Sequence, residues 1–270
     1  MVSPVSPRPA RRSLARIYAL ESLYEILKLS RVPMYVVPTL VFPMMFYLLF
    51  GIAFRRPGGT FDIAKYLIAS YGAWGVMNAA LFSFGVGVAV ERGQGWMLFK
   101  RATPMPPFAG FAGRLTACVA LSAVMVTCLF TLGAVAGGVR MPPAQWLSLA
   151  GVLIAGAIPF SAFGLAVGSW AGPNSAPAVI NLISLPMSFA SGMWLPVQLL
   201  PAAIQKIAVF LPAYHYAQLA VGRLGYSGGI GRVGQGEPAL RSVTVLAAFT
   251  VASLLLARRG FRRDEGKTFG

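Results

Sequence analysis

Residues 180–216 read INLISLPMSFASGMWLPVQLLPAAIQKIAVFLPAYHY. The stretch begins as an apolar run long enough to enter a membrane. It breaks at Ser191-Gly192, passes Trp194-Leu195-Pro196, and does not leave. Two shorter apolar pieces follow, punctuated by Pro201 and Pro212, and the only histidine of the chain, His215, lies just beyond. From Gln198 to Leu211 the apolar positions Leu200, Ile204, Ile207 or Ala208, and Leu211 recur at helical spacing. Apolar pieces of roughly 10–14 residues are re-entrant or interfacial rather than spanning. The pattern predicts a fifth span followed by two short helices that fold back at the bilayer surface.

The rest of the chain supports a membrane reading. Of 270 residues, 57% are hydrophobic and only 11% charged, with a mean hydropathy of +0.69. A water-facing domain carries about 25% charged residues. The fold class is therefore an all-α polytopic membrane protein. The net charge of +16 does not indicate nucleic acid binding. The basic residues cluster at the ends of apolar runs, where they set topology and meet anionic headgroups. Cys118 and Cys128 share one apolar run, about 15 Å apart by helical rise, too far for a disulfide. With a single histidine and two cysteines, the chain has no ligand set for zinc or haem. No signal peptide is expected in the first 31 residues, which are basic and lack an apolar core.

Six spans are predicted, at about 32–54, 64–90, 115–137, 146–170, 175–195 and 242–258. Residues 1–31 precede them as a basic tail and a short helix over 13–30. In that helix Ile17, Leu20, Tyr24 and Leu27 recur at helical spacing, with Arg16, Glu21, Glu25 and Lys28 mostly elsewhere. This predicts an amphipathic helix in the membrane interface; a solvated helix packed on a partner is the alternative. Pro33, Pro38 and Pro43 predict a kinked or partly unwound first span. A basic tail over 259–270 follows the sixth. Fifteen of the 23 Lys and Arg fall on the side of the termini: six before the first span, four between the second and third, five after the sixth. The positive-inside rule then places both termini in the cytoplasm. Gly133-x-x-x-Gly137 and Gly164-x-x-x-Gly168-x-x-x-Gly172 allow close helix contact, either between subunits or within one.

The middles of the predicted spans hold no Asp, Glu, Lys or Arg. Ion-coupled carriers place ionisable groups there, so any transport draws its energy from outside the membrane. Channels with charged selectivity rings are disfavoured on the same ground. The tail Gly260-Phe-Arg-Arg-Asp-Glu-Gly266-Lys267-Thr268 has one residue too many for a phosphate-binding loop and lacks the strand–helix context. Between spans two and three runs Glu91-Arg92-Gly93-Gln94-Gly95-Trp96-Met97-Leu98-Phe99-Lys100-Arg101-Ala102-Thr103-Pro104. Its aromatic anchors and fixed charges suit docking into a partner's groove. An interfacial loop with its aromatics among headgroups is the other reading.

Together, the two stretches resemble the membrane subunit of type-2 ATP-binding-cassette (ABC) exporters. Pro186, Ser188, Phe189, Ser191-Gly192, Pro196, Leu200-Pro201 and Leu211-Pro212 match the family's proline-bearing fifth span and SG break. Glu91-Arg92, Gly95 and Thr103-Pro104 match its E-R-x-x-G…T-P loop, with Gly93 where many members carry a third acidic residue. The resemblance implies a permease of the bacterial inner membrane, as a homodimer or paired with a related permease. It implies two ABC ATPase subunits that bind the ATP and Mg; no cofactor is expected on this chain and no nucleic acid partner, while membrane lipids surround it. Glu91, Arg92, Gly95, Thr103 and Pro104 would couple to the ATPase. Ser191, Gly192, Trp194, Pro196, Pro201 and Pro212 would form an outer re-entrant gate. Asn78, Asn181 and Phe189 are candidate pathway-lining residues, with helix packing as the alternative for each. The cargo class is hydrophobic or amphipathic: drug, antibiotic, lipid or glycan. Two other functions stand beside this one, a membrane-embedded transferase with His215 as base and a non-transporting sensor or assembly subunit.

Overall fold

A computed structural model describes residues 13–54, 62–96, 106, 108–225 and 238–265. The described residues form nine α-helices and no strands. Helix α1 (Leu14–Ser30) starts where the Ser13 side chain accepts from the Arg16 backbone N–H at 3.3 Å. The α2 helix (Pro33–Ile52) carries Pro38 and Pro43 inside it. Neither proline can donate to the helical ladder, and one turn beyond Pro43 the helix widens into a π-turn over Tyr47–Ile52. The predicted irregularity of the first span thus takes the form of a π-bulge.

Helix α3 (Ile63–Gly93) is the centre of the molecule and is buried almost all round. Asp62 caps it, accepting from the N–H groups of Ala64 and Lys65. Against it pack α2, α4 (Ala109–Val135) and α5 (Pro143–Trp170), and α9 (Ala239–Glu265) packs on the second half of α5. Helices α2, α3, α4, α5 and α9 are long and apolar enough to cross a membrane. They overlap five of the predicted spans, with ends that differ by up to seven residues. The remaining one, α6 (Ala176–Ala190), has 15 residues. By rise it is about 22 Å long, against a hydrocarbon core of about 30 Å.

Two departures from regular helix position these elements. A second π-turn, Phe82–Val86, lies in α3. There a Cβ on Gly168 of α5 would come within 2.6 Å of the Gly85 carbonyl oxygen, so α5 and α3 pack backbone to backbone. Gly133 of α4, and Gly137 just beyond its end, likewise receive the side chains of Ile68 and Tyr47. The small-residue spacing is therefore used for packing within one chain. The other departure breaks α5 at Gly156, where the ring of Tyr216 fills the space a Cβ would need. The Tyr216 hydroxyl donates to the Leu153 carbonyl at 2.7 Å. A continuous fourth span was the expectation; the side chain that breaks it comes from sixty residues away in the chain.

Beyond α6 the chain forms two short helices, α7 (Ala202–Ala208) and α8 (Pro212–Gly222). Of the two, α8 is buried along most of its length, whereas Ile207 and Phe210 beside it are exposed.

Candidate functional site

Three of the coupling candidates, Glu91, Arg92 and Gly95, lie at the end of α3. Glu91 is buried there, and its Oε1 accepts from both Lys28 Nζ of α1 and Arg114 Nη2 of α4. Glu25 completes the cluster, 3.7 Å from Lys28 Nζ and 3.9 Å from Arg114 Nε. Two cations and two carboxylates thus meet with three of the four buried. Pairing is what makes such burial tolerable, because a lone charge there would bear the full desolvation cost.

The cluster depends on α1 lying tight against α4. A Cβ on Gly113 would sit 3.0 Å from the Glu21 carbonyl carbon, and Ser22 Oγ donates to Thr116 Oγ1 at 3.4 Å. Accordingly α1 turns Glu25 inward and leaves Leu14, Leu23, Tyr24 and Leu27 exposed. Two of the four residues assigned to its apolar stripe, Tyr24 and Leu27, therefore face away from the protein.

Arg92 faces the other way. Its Nη1 donates to the carbonyls of Gly168 at 2.6 Å and Ala171 at 3.3 Å. These are orphan acceptors at the C-terminal end of α5, where a cation also meets the helix dipole favourably. Gly93 lies against the turn that follows α5: a Cβ there would meet Pro173 Cγ at 2.2 Å. Gly95 has φ +75°, a left-handed conformation suited to glycine, and Trp96 beyond it is half exposed. Thr103 and Pro104 lie outside the described residues.

Next to the charged cluster opens a cavity of about 750 Å³ bounded by α1 and by α2, α3 and α4. Tyr35, Phe82, Val86 and Trp96 line its apolar part, with Lys28 and Arg114 at its polar end. The π-turn of α3 forms one wall.

At the far end of the bundle, Ser191 and Gly192 close α6. Gly192 adopts φ +80° and its N–H returns to the Phe189 carbonyl at 3.4 Å, the helix-ending geometry that glycine favours. The Gly192 carbonyl accepts from the Tyr66 hydroxyl of α3. Trp194 then enters an aromatic cluster, its ring centroid 4.8 Å from Phe189, 4.7 Å from Phe46 and 5.0 Å from Trp74. Pro196 opens a single 3₁₀ turn, Val197–Leu199, and Pro201 and Pro212 each begin one of the short helices. His215 is fully buried, with Nε2 2.9 Å from the Val209 carbonyl and Nδ1 3.2 Å from Ser242 Oγ. A carbonyl only accepts, so Nε2 carries the proton and Nδ1 accepts from Ser242. The ring ties α8 to α9.

The three candidate lining residues do not meet. Asn78 donates to the Trp74 carbonyl within its own helix at 2.9 Å. Asn181 and Phe189 are exposed along one face of α6 with Leu182 and Leu185.

From the sequence, Glu25 and Lys28 entered only as polar-face residues of the first helix, and Arg114 only in the count of basic residues. Arg114, an isolated basic residue at the start of an apolar run beside a glycine, was the signal available. It reads as an ordinary span flank until α4 is seen to begin at Ala109, which draws Arg114 into the helix.

The family model described as ABC-2 type transporter matches residues 22–222. A protein of Bacillus subtilis (strain 168) named as a transport permease, YvfS, is 26% identical over 247 residues, covering 91% of this chain and 97% of its own. The matched family region takes in the Glu91 cluster, the cavity and the short helices α7 and α8.

Proposed function

The chain belongs to the ABC-2 type transporter family, and from that membership we propose that it is the membrane subunit of an ATP-driven exporter. It is a multi-pass membrane protein and a transport permease. Export, the cargo class and the source of energy are our reading. The cargo is hydrophobic or amphipathic and leaves from the cytoplasm or the inner leaflet. Two copies of a separate ABC ATPase hold the ATP and Mg. The permease acts as a homodimer or beside a related permease, in the bacterial inner membrane, with α6 counted as a sixth span and both termini cytoplasmic. Exposed apolar side chains on α2 and α6, among them Val37, Val41, Leu182 and Leu185, support a lipid or protein neighbour on that side.

The observation that carries the reading is the double grip on Glu91. Immediately beyond this residue comes the loop that would dock on the ATPase. Lys28 holds Glu91 to α1 and Arg114 holds it to α4, while Arg92 holds the same turn to α5. Movement imposed on the loop is thereby delivered to four helices at once. The apolar outward side of α1 supports its placement in the interface. On this reading Trp194 and its aromatic neighbours act as the outer gate.

Glu91→Gln keeps the shape and removes the charge that both cations hold. It should cut cargo-stimulated ATP hydrolysis severalfold while the complex still elutes intact. Undiminished stimulation in an intact complex would overturn the coupling role. The transferase alternative has less support, because His215 is fully buried and ties α8 to α9 through Ser242.

A further inference from the structure

Helix α9 does not stop where its apolar run ends. It continues as helix through Arg258, Arg259, Arg262 and Arg263 to Glu265. Its inward side is made of small residues. Ser242, Ser253, Ala257 and Gly260 are buried, and Gly260 lies directly against Ser169 and Trp170 of α5. Its outward side is a single stripe. Thr244, Ala248, Val251, Leu254 and Leu255 are exposed at spacings of three and four, which keeps them on one helix face. Arg258, Arg259 and Arg262 continue the same spacing and are exposed as well. The apolar part rises about 16 Å, close to half of a hydrocarbon core of about 30 Å. From Arg258 onward the chain holds five Lys or Arg against two carboxylates, Asp264 and Glu265, so the end of the stripe stays net positive. Among the described residues, Arg258, Arg259 and Arg262 have no carboxylate partner; Glu25 and Glu91 are held by Lys28 and Arg114.

We propose that this face of α9 is a binding site for an anionic phospholipid of the leaflet that its arginine end reaches. The guanidinium groups of Arg258, Arg259 and Arg262 take the head-group phosphate, whose oxygens match their paired donors. An acyl chain lies along Leu255, Leu254 and Val251. A zwitterionic lipid offers the same phosphate but brings an ammonium group that the arginines repel. Trp170 marks the head-group level: it is half exposed, and its indole N–H is satisfied by the Leu256 carbonyl at 3.1 Å. Arg263 is drawn aside over the Trp170 ring, 5.6 Å from its centroid, which leaves the other three for the lipid. Arginines that only orient a span need neither a continuing helix nor a common face with the apolar stripe. The site uses α9 as a span and nothing of the cargo or the ATPase.

The full chain, purified in an uncharged detergent, is titrated with phosphatidylglycerol and separately with phosphatidylcholine of the same acyl chains. Retained lipid is counted by native mass spectrometry. Phosphatidylglycerol should bind at least roughly tenfold more tightly. Combining Arg258→Gln, Arg259→Gln and Arg262→Gln should bring the two affinities together. Combining Arg11→Gln, Arg12→Gln and Arg16→Gln removes the same charge from the other end of the chain and should leave the preference intact. A phosphatidylglycerol with a diazirine on its acyl chain should label peptides between residues 244 and 262. Equal affinities in the unaltered chain would overturn the proposal. So would label confined to other helices, or a preference that falls equally in both triple variants, since the charge would then act diffusely. An unaltered chain that retains neither lipid and runs as a dimer, with the dimer lost in the Arg258, Arg259 and Arg262 variant, would assign the face to a second copy and overturn it too.

Discussion

Gly93 occupies a position where the resembled family often has an acidic residue, and the structure supplies a reason for the difference. The Pro173 ring fills the space that any side chain at 93 would enter, at 2.2 Å from its Cβ. A proline ring cannot rotate aside as a flexible side chain could. Gly93→Glu should therefore cost about 1–3 kcal/mol through overpacking, read as a lowered unfolding midpoint in detergent. Pro173→Ala in the same chain should recover most of the loss, and a double-mutant cycle should show the two sites coupled. Independent effects would mean that the turn moves away freely. Arg114 makes a complementary point. Nothing in its local sequence distinguishes it from a topology-setting flank, yet it lies buried between two carboxylates from α1 and α3. Pairing across 23 and 89 residues of chain is a property of the packed bundle, and no spacing rule reaches it.

Helix boundaries followed the sequence where the signal was local. The apolar runs, the Ser191-Gly192 stop and the prolines opening α7 and α8 depend on hydropathy, a left-handed glycine and a missing N–H. The break in α5 did not follow, because its cause is tertiary. Within an apolar run Gly156 reads as a tolerated helical residue. Only the arrival of Tyr216 from α8 gives the Leu153 carbonyl a new donor and uses the space beside Gly156. Tyr216→Phe should then destabilise the fold by about 1–3 kcal/mol, the cost of an orphaned buried carbonyl. Gly156→Ala should cost more, since the ring itself must move. If thermal unfolding ranks the two variants in the opposite order, the kink is set by Pro159 in the following turn and the tyrosine merely fills it.

Across the whole molecule, the coupling proposal requires α1 to travel with or against α4. Ser22 Oγ and Thr116 Oγ1 stand 3.4 Å apart across that contact. Cysteines at 22 and 116, with Cys118 and Cys128 replaced by alanine, should form a disulfide under mild oxidation. If the two helices part during the cycle, the bond should suppress cargo-stimulated ATP hydrolysis and a reductant should restore it. Full activity in the oxidised form would mean that they move as one body. The inside-out character of α1 also bears on how the chain is made. Its inward partners, Gly113, Arg114 and Thr116, are synthesised more than eighty residues after it, so α1 emerges from the ribosome with no protein surface to receive Glu25. Until the third span inserts, Leu23, Tyr24 and Leu27 can rest on lipid while the acidic face stays hydrated. Ribosome-bound chains ending near residue 105 should leave the 13–30 segment open to protease, and those extended well beyond 135 should protect it. Biogenesis would then proceed with the first helix waiting at the membrane surface for the third span.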